Sequence, residues 1–332
     1  SGCNQNVLFG DEAGNDLSSG ALRNVAIGYS ALDLATGCDD VVAIGANAIG
    51  GGVHGEQGTI AIGSSALSAI TSGVLCTAVG YLAGSKLTGS NNTMLGYGAM
   101  WDMVESANSV AIGSNALGGT NDADADASTD NVAIGHNSMG NNWVTGASSY
   151  NTAVGTGTMT GVMNAARYNT SMGYNAMGAL TTGDENVAIG QSALLVSTTT
   201  SNCVAVGSGS LQAVNSTDAD STCAIGAYAL NDLTSGQGNT AVGFQTLAVE
   251  DTGDFNTVVG YQALKVQNHT DGTVGNTAIG YQAGVALASA NNIQNTLIGY
   301  KAAATATALG KSVIIGYEAG AGANMNSADT DG

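Results

Sequence analysis

Three aspartates, Asp122, Asp124 and Asp126, alternate along the segment NDADADASTD at residues 121–130. Carboxylate oxygens are ligands that Ca²⁺ prefers, so this acidic insertion is the candidate metal site. The segment lacks the glycine and the ligand spacing of a known calcium loop, and a solvated insertion is the alternative interpretation. Apart from Ca²⁺ at this position, the sequence predicts no cofactor.

The two tryptophans of the chain, Trp101 and Trp143, lie in segments that do not repeat. An exposed indole ring combines a large apolar surface with a polar N–H group, which suits ligand recognition. Both are therefore candidate ligand-binding residues. Eight tyrosines instead recur after a repeated glycine, and such a row is better explained by packing between chains or over an aliphatic column.

The chain shows no set of residues arranged for catalysis. His54, His136 and His269 are far apart, and no Ser or Cys recurs beside them in a recognised frame. The sequence therefore predicts a protein that is not an enzyme. The enzymatic alternative is glycoside hydrolysis by a pair of carboxylates contributed by different chains.

Composition excludes several classes of partner. Six Lys and Arg against 25 Asp and Glu give a net charge of −19, which phosphate backbones would repel, so nucleic-acid binding is not expected. The long uncharged run 186–217 is broken by Gln191, Asn202 and many Ser and Thr, so no membrane insertion is expected. Five cysteines, an odd number, predict free or interchain thiols.

A short phrase recurs throughout the chain, and the segments discussed above lie among its copies; it reads NVAIGYSAL where it begins at Asn24. Eighteen degenerate copies follow one another at spacings of 16 to 22 residues, most often 17. Such a short period without helical spacing of apolar residues is typical of a β-solenoid. The glycines of the phrase are Gly10, Gly28, Gly45, Gly63, Gly80, Gly96, Gly113, Gly135, Gly155, Gly173, Gly190, Gly207, Gly226, Gly243, Gly260, Gly280, Gly299 and Gly316.

Each position of the repeat, counted from its glycine, imposes a structural requirement. Gly28, Gly113, Gly190 and Gly280 represent the glycine column, which indicates either a positive φ or a backbone approached too closely for a Cβ. A small residue at position +3 favours close approach. Asn24, Asn186 and Asn276 represent an asparagine column at position −4. Asparagine tolerates left-handed backbone at a corner, and stacked asparagines could bond as a ladder.

One rung is expected to hold a strand of five to seven residues, a turn and a looser return strand. The strand carries an aliphatic residue such as Ile27 and the small Ala31 on one face, with Ala26 and Leu32 on the other. Because both faces are restricted, the strand needs a second partner, which we infer to be other copies of the chain. The sequence predicts one all-β domain over residues 1–332, a parallel β-solenoid of about eighteen 17-residue rungs.

The phrases NVAIGYSAL, SVAIGSNAL, NVAIGQSAL and NTAIGYQAG resemble the head repeats of trimeric autotransporter adhesins and the repeats of some bacteriophage tail fibres. The resemblance covers residues 4–320. It implies a left-handed parallel β-roll, a homotrimer, and an extracellular location on a virion or cell surface. It also implies attachment to a host through a surface glycan or a protein receptor.

The longer return segments favour a phage-type fibre, of which this chain would form the shaft or head. Three alternatives stay open at this stage. The chain could belong to a bacterial trimeric surface adhesin, to a self-assembling extracellular filament, or to a fibre-borne enzyme that degrades polysaccharide.

Overall fold

A computed structural model describes residues 5–51, 58–71, 75–119, 128–141, 143, 146–269, 272–288 and 293–321. In this part of the chain the fold is an all-β parallel solenoid of eighteen three-residue strands, each ending directly before a repeated glycine. The chain divides into two compact units, Ser1–Tyr168 and Asn169–Gly332. That residues 1–332 form a single domain stays a prediction, as do left-handedness and the homotrimer.

In the first unit, nine strands pair in parallel, each with the next along the chain and without a shift in register; Ala26, for example, lies opposite Ala43. The alanines of successive copies therefore stack in one column. The strands are β1 (Val7–Phe9), β2 (Val25–Ile27), β3 (Val42–Ile44), β4 (Ile60–Ile62), β5 (Thr77–Val79), β6 (Thr93–Leu95), β7 (Val110–Ile112), β8 (Val132–Ile134) and β9 (Thr152–Val154).

The second unit repeats the arrangement, with Ala188 opposite Ala205. A three-residue 3₁₀ helix, Thr217–Ala219, lies between β12 and β13. The strands are β10 (Thr170–Met172), β11 (Val187–Ile189), β12 (Val204–Val206), β13 (Cys223–Ile225), β14 (Thr240–Val242), β15 (Thr257–Val259), β16 (Thr277–Ile279), β17 (Thr296–Ile298) and β18 (Val313–Ile315). No helix of the described residues is long and apolar enough to span a bilayer.

The strands are shorter than the expected five to seven residues, and the described residues contain no regular return strand. After Gly28, every second residue is left-handed, with φ of 46° at Ser30 and 56° at Leu32. Hydrogen bonds to both neighbouring rungs are nevertheless kept. The Ser30 N–H donates to the carbonyl oxygen of Asp11 on the preceding rung, and the Leu32 N–H donates to that of Ala48 on the next rung. The left-handed residues thus end the strand after three residues, and the chain that follows still bonds to the rungs on either side.

The left-handed residues also change which side chains face the core. Ala26, Ala31 and Leu32 are all fully buried, whereas Ile27 is half-buried on the outside. The prediction that Ile27 and Ala31 share a face is wrong, because strict alternation holds only in regular strand backbone. The interior is therefore filled by Ala, Leu and Met, and an aliphatic column remains on the outer face.

Both explanations of the glycine column hold together. Gly28, Gly113, Gly190 and Gly280 have φ between 130° and 139°, a range that L side chains rarely adopt. A Cβ on Gly28 would also lie 2.7 Å from the carbonyl carbon and oxygen of Gly45 on the next rung. Glycine is therefore required by conformation and by space at once.

The asparagine column forms a buried ladder. The Asn186 side-chain amide donates to Oδ1 of Asn169 at 3.0 Å and to the Thr200 carbonyl oxygen at 2.7 Å. Asn24 and Asn276 are likewise buried. The left-handed residue of the corner is the one before asparagine, such as Glu185 with φ of 59°. Asparagine thus acts through its hydrogen bonds, and the ladder prediction is confirmed.

Candidate functional site

A groove interrupts the regular surface of the first unit beside Trp101. It encloses a cavity of about 350 Å³ that extends over the rungs of β5 to β8, within the range of volumes found for small-molecule sites. The residues that line it are Leu82, Tyr97, Gly98, Trp101, Asn115, Gly118, Gly119, Asn137 and Gly140.

The groove forms because position +5 of the repeat changes over three consecutive rungs. Trp101 holds this position on the first rung, while Gly118 and Gly140 hold it on the next two. On the two rungs that follow the indole, a Cβ at Gly118 or Gly140 would lie 2.9 Å or 2.7 Å from the Asn115 carbonyl oxygen, so glycine fits these positions and places no bulky side chain beside the groove. Asn115 and Asn137, both at position +2, supply polar side chains along the same groove.

Backbone conformation explains why asparagine occupies position +2. Asn115 has φ of 55° and Asn137 has φ of 56°, a left-handed region that asparagine tolerates better than most residues. Their backbone N–H groups donate to the carbonyl oxygens of Tyr97 and Ser114, each at 2.9 Å. The two side chains are therefore held one rung apart on a fixed frame.

The Trp101 side chain is half-buried and supported by the preceding rung. Lys86 places its Nζ 5.7 Å from the centre of the indole ring, within the range of a cation–π contact, and forms an ion pair with the buried carboxylate of Asp102. The Ser85 hydroxyl donates to the Trp101 carbonyl oxygen at 2.9 Å. These contacts fix the backbone at Trp101 and place a cation beside its ring.

Trp143, the second predicted recognition residue, is fully buried. Its Nε1 donates to the Met139 carbonyl oxygen at 3.3 Å. The expectation that this ring is presented at the surface is wrong, because the large apolar side chain fills the interior of the coil. The two tryptophans therefore lie in different environments, since Trp101 lines a groove and Trp143 packs in the core.

Asp122, Asp124 and Asp126 lie outside the described residues, so the calcium site stays a prediction. Within the described ranges, no group of three or more His, Cys, Asp or Glu residues is arranged to hold a metal ion.

An outer stripe follows the strands, formed by the aliphatic residues at position −1 and the aromatic residues at position +1. It is most regular in the second unit, where Ile279 is 40% exposed and Tyr281 is 41% exposed. Neighbouring rings there stack with centroids 5.1–5.3 Å apart. This aromatic ladder consists of Phe244, Tyr261, Tyr281, Tyr300 and Tyr317.

A hydrogen-bonded row of glutamines lies beside the aromatic ladder, at position +2. The Gln262 side-chain amide donates to Oε1 of Gln245 at 2.9 Å, and that of Gln282 donates to Oε1 of Gln262 at 3.0 Å. These side chains therefore satisfy part of one another's hydrogen-bonding capacity along the rungs.

A buried polar cluster in the second unit was not expected from the sequence. The carboxylate of Glu250 accepts from the backbone N–H groups of Gly253 and His269 and from the Gln267 side-chain amide, and it pairs with His269 Nδ1 at 3.0 Å. Glu250 and Gln267 both occupy position +7, where other rungs bury apolar residues such as Leu233. That break in an apolar column was the signal available in the sequence.

The geometry of this cluster indicates that it stabilises the fold. Burial alone would raise the pKa of Glu250, but hydrogen bonds from His269 and Gln267 outweigh burial and hold that pKa below its ordinary value. Both Glu250 and His269 are almost completely buried. His269 Nε2 has no hydrogen-bond partner among the described residues, and burial of the ring keeps a substrate away from it.

The described cysteines, Cys38, Cys76, Cys203 and Cys223, form no disulfide with one another, and whether they pair between chains stays a prediction. Burial raises the pKa of Cys203 to about 11, so this sulfur stays protonated at neutral pH and is a poor nucleophile.

The chain matches no protein-family model, no curated protein and no solved structure. The resemblance to adhesin heads and tail fibres therefore depends on the repeat phrases alone. What the sequence and the fold establish together is that the chain is a parallel β-solenoid repeat protein.

Proposed function

We propose that the chain is a structural, non-enzymatic subunit of a homotrimeric fibre, the shaft or head of a phage-type tail fibre that attaches to a host or another surface. The fibre would act outside the cell, on a virion or cell surface. A bacterial trimeric surface adhesin would use the same fold and differ in how it is anchored.

The outer stripe is the observation that carries this proposal. On a single chain it leaves large apolar side chains in water, including Ile189 at 37%, Leu95 at 48% and Tyr174 at 56% exposed. Continuous exposed apolar surface of this kind is typical of an interface. Because the stripe recurs at the same positions on successive rungs, identical chains can cover one another along it.

The charge of the chain is consistent with an interface along the outer stripe. The chain carries −19, yet the residues at positions −1 and +1 that form the stripe are mostly uncharged. Association along the stripe would therefore bury apolar side chains and leave most carboxylates in solvent, where water and salt screen their repulsion.

Sedimentation equilibrium of the full chain tests the proposal. The expected mass is three times the 32.5 kDa of one chain. A double variant, Ile189→Lys with Ile279→Lys, places two charges on the outer stripe and should reduce the mass to that of one chain. Thr182→Lys with Ala288→Lys adds the same charge at exposed positions away from the stripe and should leave the mass unchanged. A monomeric wild-type chain would overturn the trimer.

A further inference from the structure

We propose that the groove beside Trp101 binds a neutral sugar residue of a surface glycan. This inference names the ligand class for the attachment function proposed above and depends on it for its biological meaning. The binding itself requires only the groove residues on the rungs of β6, β7 and β8.

The lining of the groove has the chemistry that a pyranose ring requires. One side of a sugar ring presents C–H groups, which pack against an aromatic ring such as that of Trp101. The hydroxyl groups around the ring both donate and accept hydrogen bonds. The side-chain amides of Asn115 and Asn137 also offer donors and acceptors together, and both line the groove.

Two features favour a neutral sugar over an anionic one. The nine residues that line the groove include no charged side chain, and the chain as a whole carries −19. The nearest cation described beside the indole, Lys86, is already paired with Asp102 and lies over the ring. A carboxylate or sulfate group on the ligand would therefore gain no salt bridge from Lys86 without breaking that pair.

The groove is also preorganised, which lowers the entropic cost of binding. Trp101 is held through Lys86 and Ser85 on the preceding rung. The backbones of Asn115 and Asn137 are held by inter-rung hydrogen bonds. Tyr97 belongs both to the groove and to the outer stripe, which places the groove at the edge of the stripe.

Tryptophan emission of the full chain measures binding directly, because Trp101 and Trp143 are its only two tryptophans. The probes are the methyl glycosides of glucose, galactose, mannose and N-acetylglucosamine, with N-acetylneuraminic acid as the anionic comparison. We expect a saturable change in emission with at least one neutral glycoside and none with the anionic sugar. Buried Trp143 provides an internal reference for an intact fold.

Three variants locate the site. Trp101→Ala should weaken binding of the same glycoside at least tenfold, as expected when an aromatic anchor is removed, and Asn137→Ala should weaken it severalfold. Tyr29→Ser, on a rung outside the groove, should bind as the wild type does. Because Trp101→Ala also removes a fluorophore, its affinity is measured by isothermal calorimetry, with circular dichroism confirming the fold.

The results separate this inference from the fibre proposal. Equal affinity in the Trp101→Ala variant, binding of the anionic sugar alone, or no binding by the folded chain would each overturn the sugar site, even if the chain is a trimer that adheres to cells. A monomeric chain that binds a neutral glycoside through Trp101 would overturn the fibre and keep the sugar site.

Discussion

The groove region, residues 97–119 and 128–140, and the ladder region, residues 244–269, 272–288 and 293–317, are built on the same repeat and present different kinds of surface. In the ladder region, position +1 is aromatic on five successive rungs and the rings stack. In the groove region, position +1 changes from Tyr97 to Ser114 and His136, and position +5 changes from Trp101 to glycine. The first pattern produces a continuous stripe and the second produces a cavity.

The difference shows that one repeated backbone can carry two kinds of surface. Where a column keeps its residue type, side chains on neighbouring rungs contact one another and form a uniform surface suited to assembly. Where a column varies, adjacent side chains no longer fill the same volume, and a site of particular shape results. The glycine column is complete in both regions and the asparagine column nearly so, with serine in its place at Ser109 and Ser312, and the strands keep the same register in both regions.

The largest effect should come from the glycine that both regions share. Gly113→Val and Gly280→Val each place a side chain at a φ above 129° and within about 2.5 Å of the next rung's carbonyl oxygen. Backbone strain and overpacking should together cost about 4 kcal/mol of unfolding free energy, measured by denaturant titration at one fixed protein concentration.

The matched control is Ser114→Val, at position +1, where the repeat accepts several residue types. It should change the free energy of unfolding by no more than about 0.5 kcal/mol. If only one of the two glycine variants were destabilised, the two regions would not share a common frame.

An intermediate effect should come from the buried carboxylate in the core of the ladder region. Glu250→Gln should lower the free energy of unfolding at pH 7 by about 2 kcal/mol, because it weakens charge-assisted hydrogen bonds. Since the pKa of Glu250 is lowered in the folded state, its stabilisation is complete above the ordinary carboxyl pKa. It is lost as pH falls through the lowered value.

Thermal unfolding between about pH 6 and pH 3 tests this dependence. The wild type should lose stability in acid more steeply than Glu250→Gln. Glu185→Gln removes an exposed carboxylate and should follow the wild type. Parallel acid profiles for the wild type and Glu250→Gln would show that the buried cluster does not contribute the expected stabilisation.

The smallest effect is the difference of about 1 kcal/mol expected between matched substitutions on the two aromatic surfaces. Tyr281 stacks on both Tyr261 and Tyr300, whereas Tyr97 stacks on Tyr81 and is followed in its column by Ser114. At about 0.5–1.5 kcal/mol for each aromatic pair, Tyr281→Ser should cost about 2 kcal/mol and Tyr97→Ser about 1 kcal/mol. Differential scanning calorimetry of both variants compares them, and equal losses would contradict a role for ladder continuity.

The sequence predicted the overall fold more accurately than it predicted the local geometry of the backbone. The eighteen glycines located every strand, and the buried asparagine ladder was predicted from Asn24 and its equivalents. The length of the strands was not predicted correctly. Apolar residues at period-two spacing look the same in the sequence of a regular strand and in that of a segment whose alternate residues have left-handed backbone. Ser30 and Leu32 show this, since neither residue type indicates a positive φ.

The candidate site was predicted only in part. Trp101 was identified because it does not repeat, but the same reasoning also selected Trp143, which is buried. The contribution of Gly118 and Gly140 depends on their lying on the rungs that follow the indole, and this is visible only when rungs are stacked. The pairing of Glu250 with His269 likewise joins residues nineteen positions apart.

By itself, the sequence determined that this protein is a coil of equivalent rungs. A glycine and a large apolar residue before it recur in all eighteen copies, and an asparagine recurs in eleven of them, so similar steric and hydrogen-bonding requirements return from turn to turn. Only the tertiary structure decided which of the other side chains meet. Stacking converts a separation of about 17 residues along the chain into the distance between neighbouring strands, about 4.8 Å. Stacking therefore places Trp101 beside the two glycines that line the groove with it, and it buries Trp143 in the core.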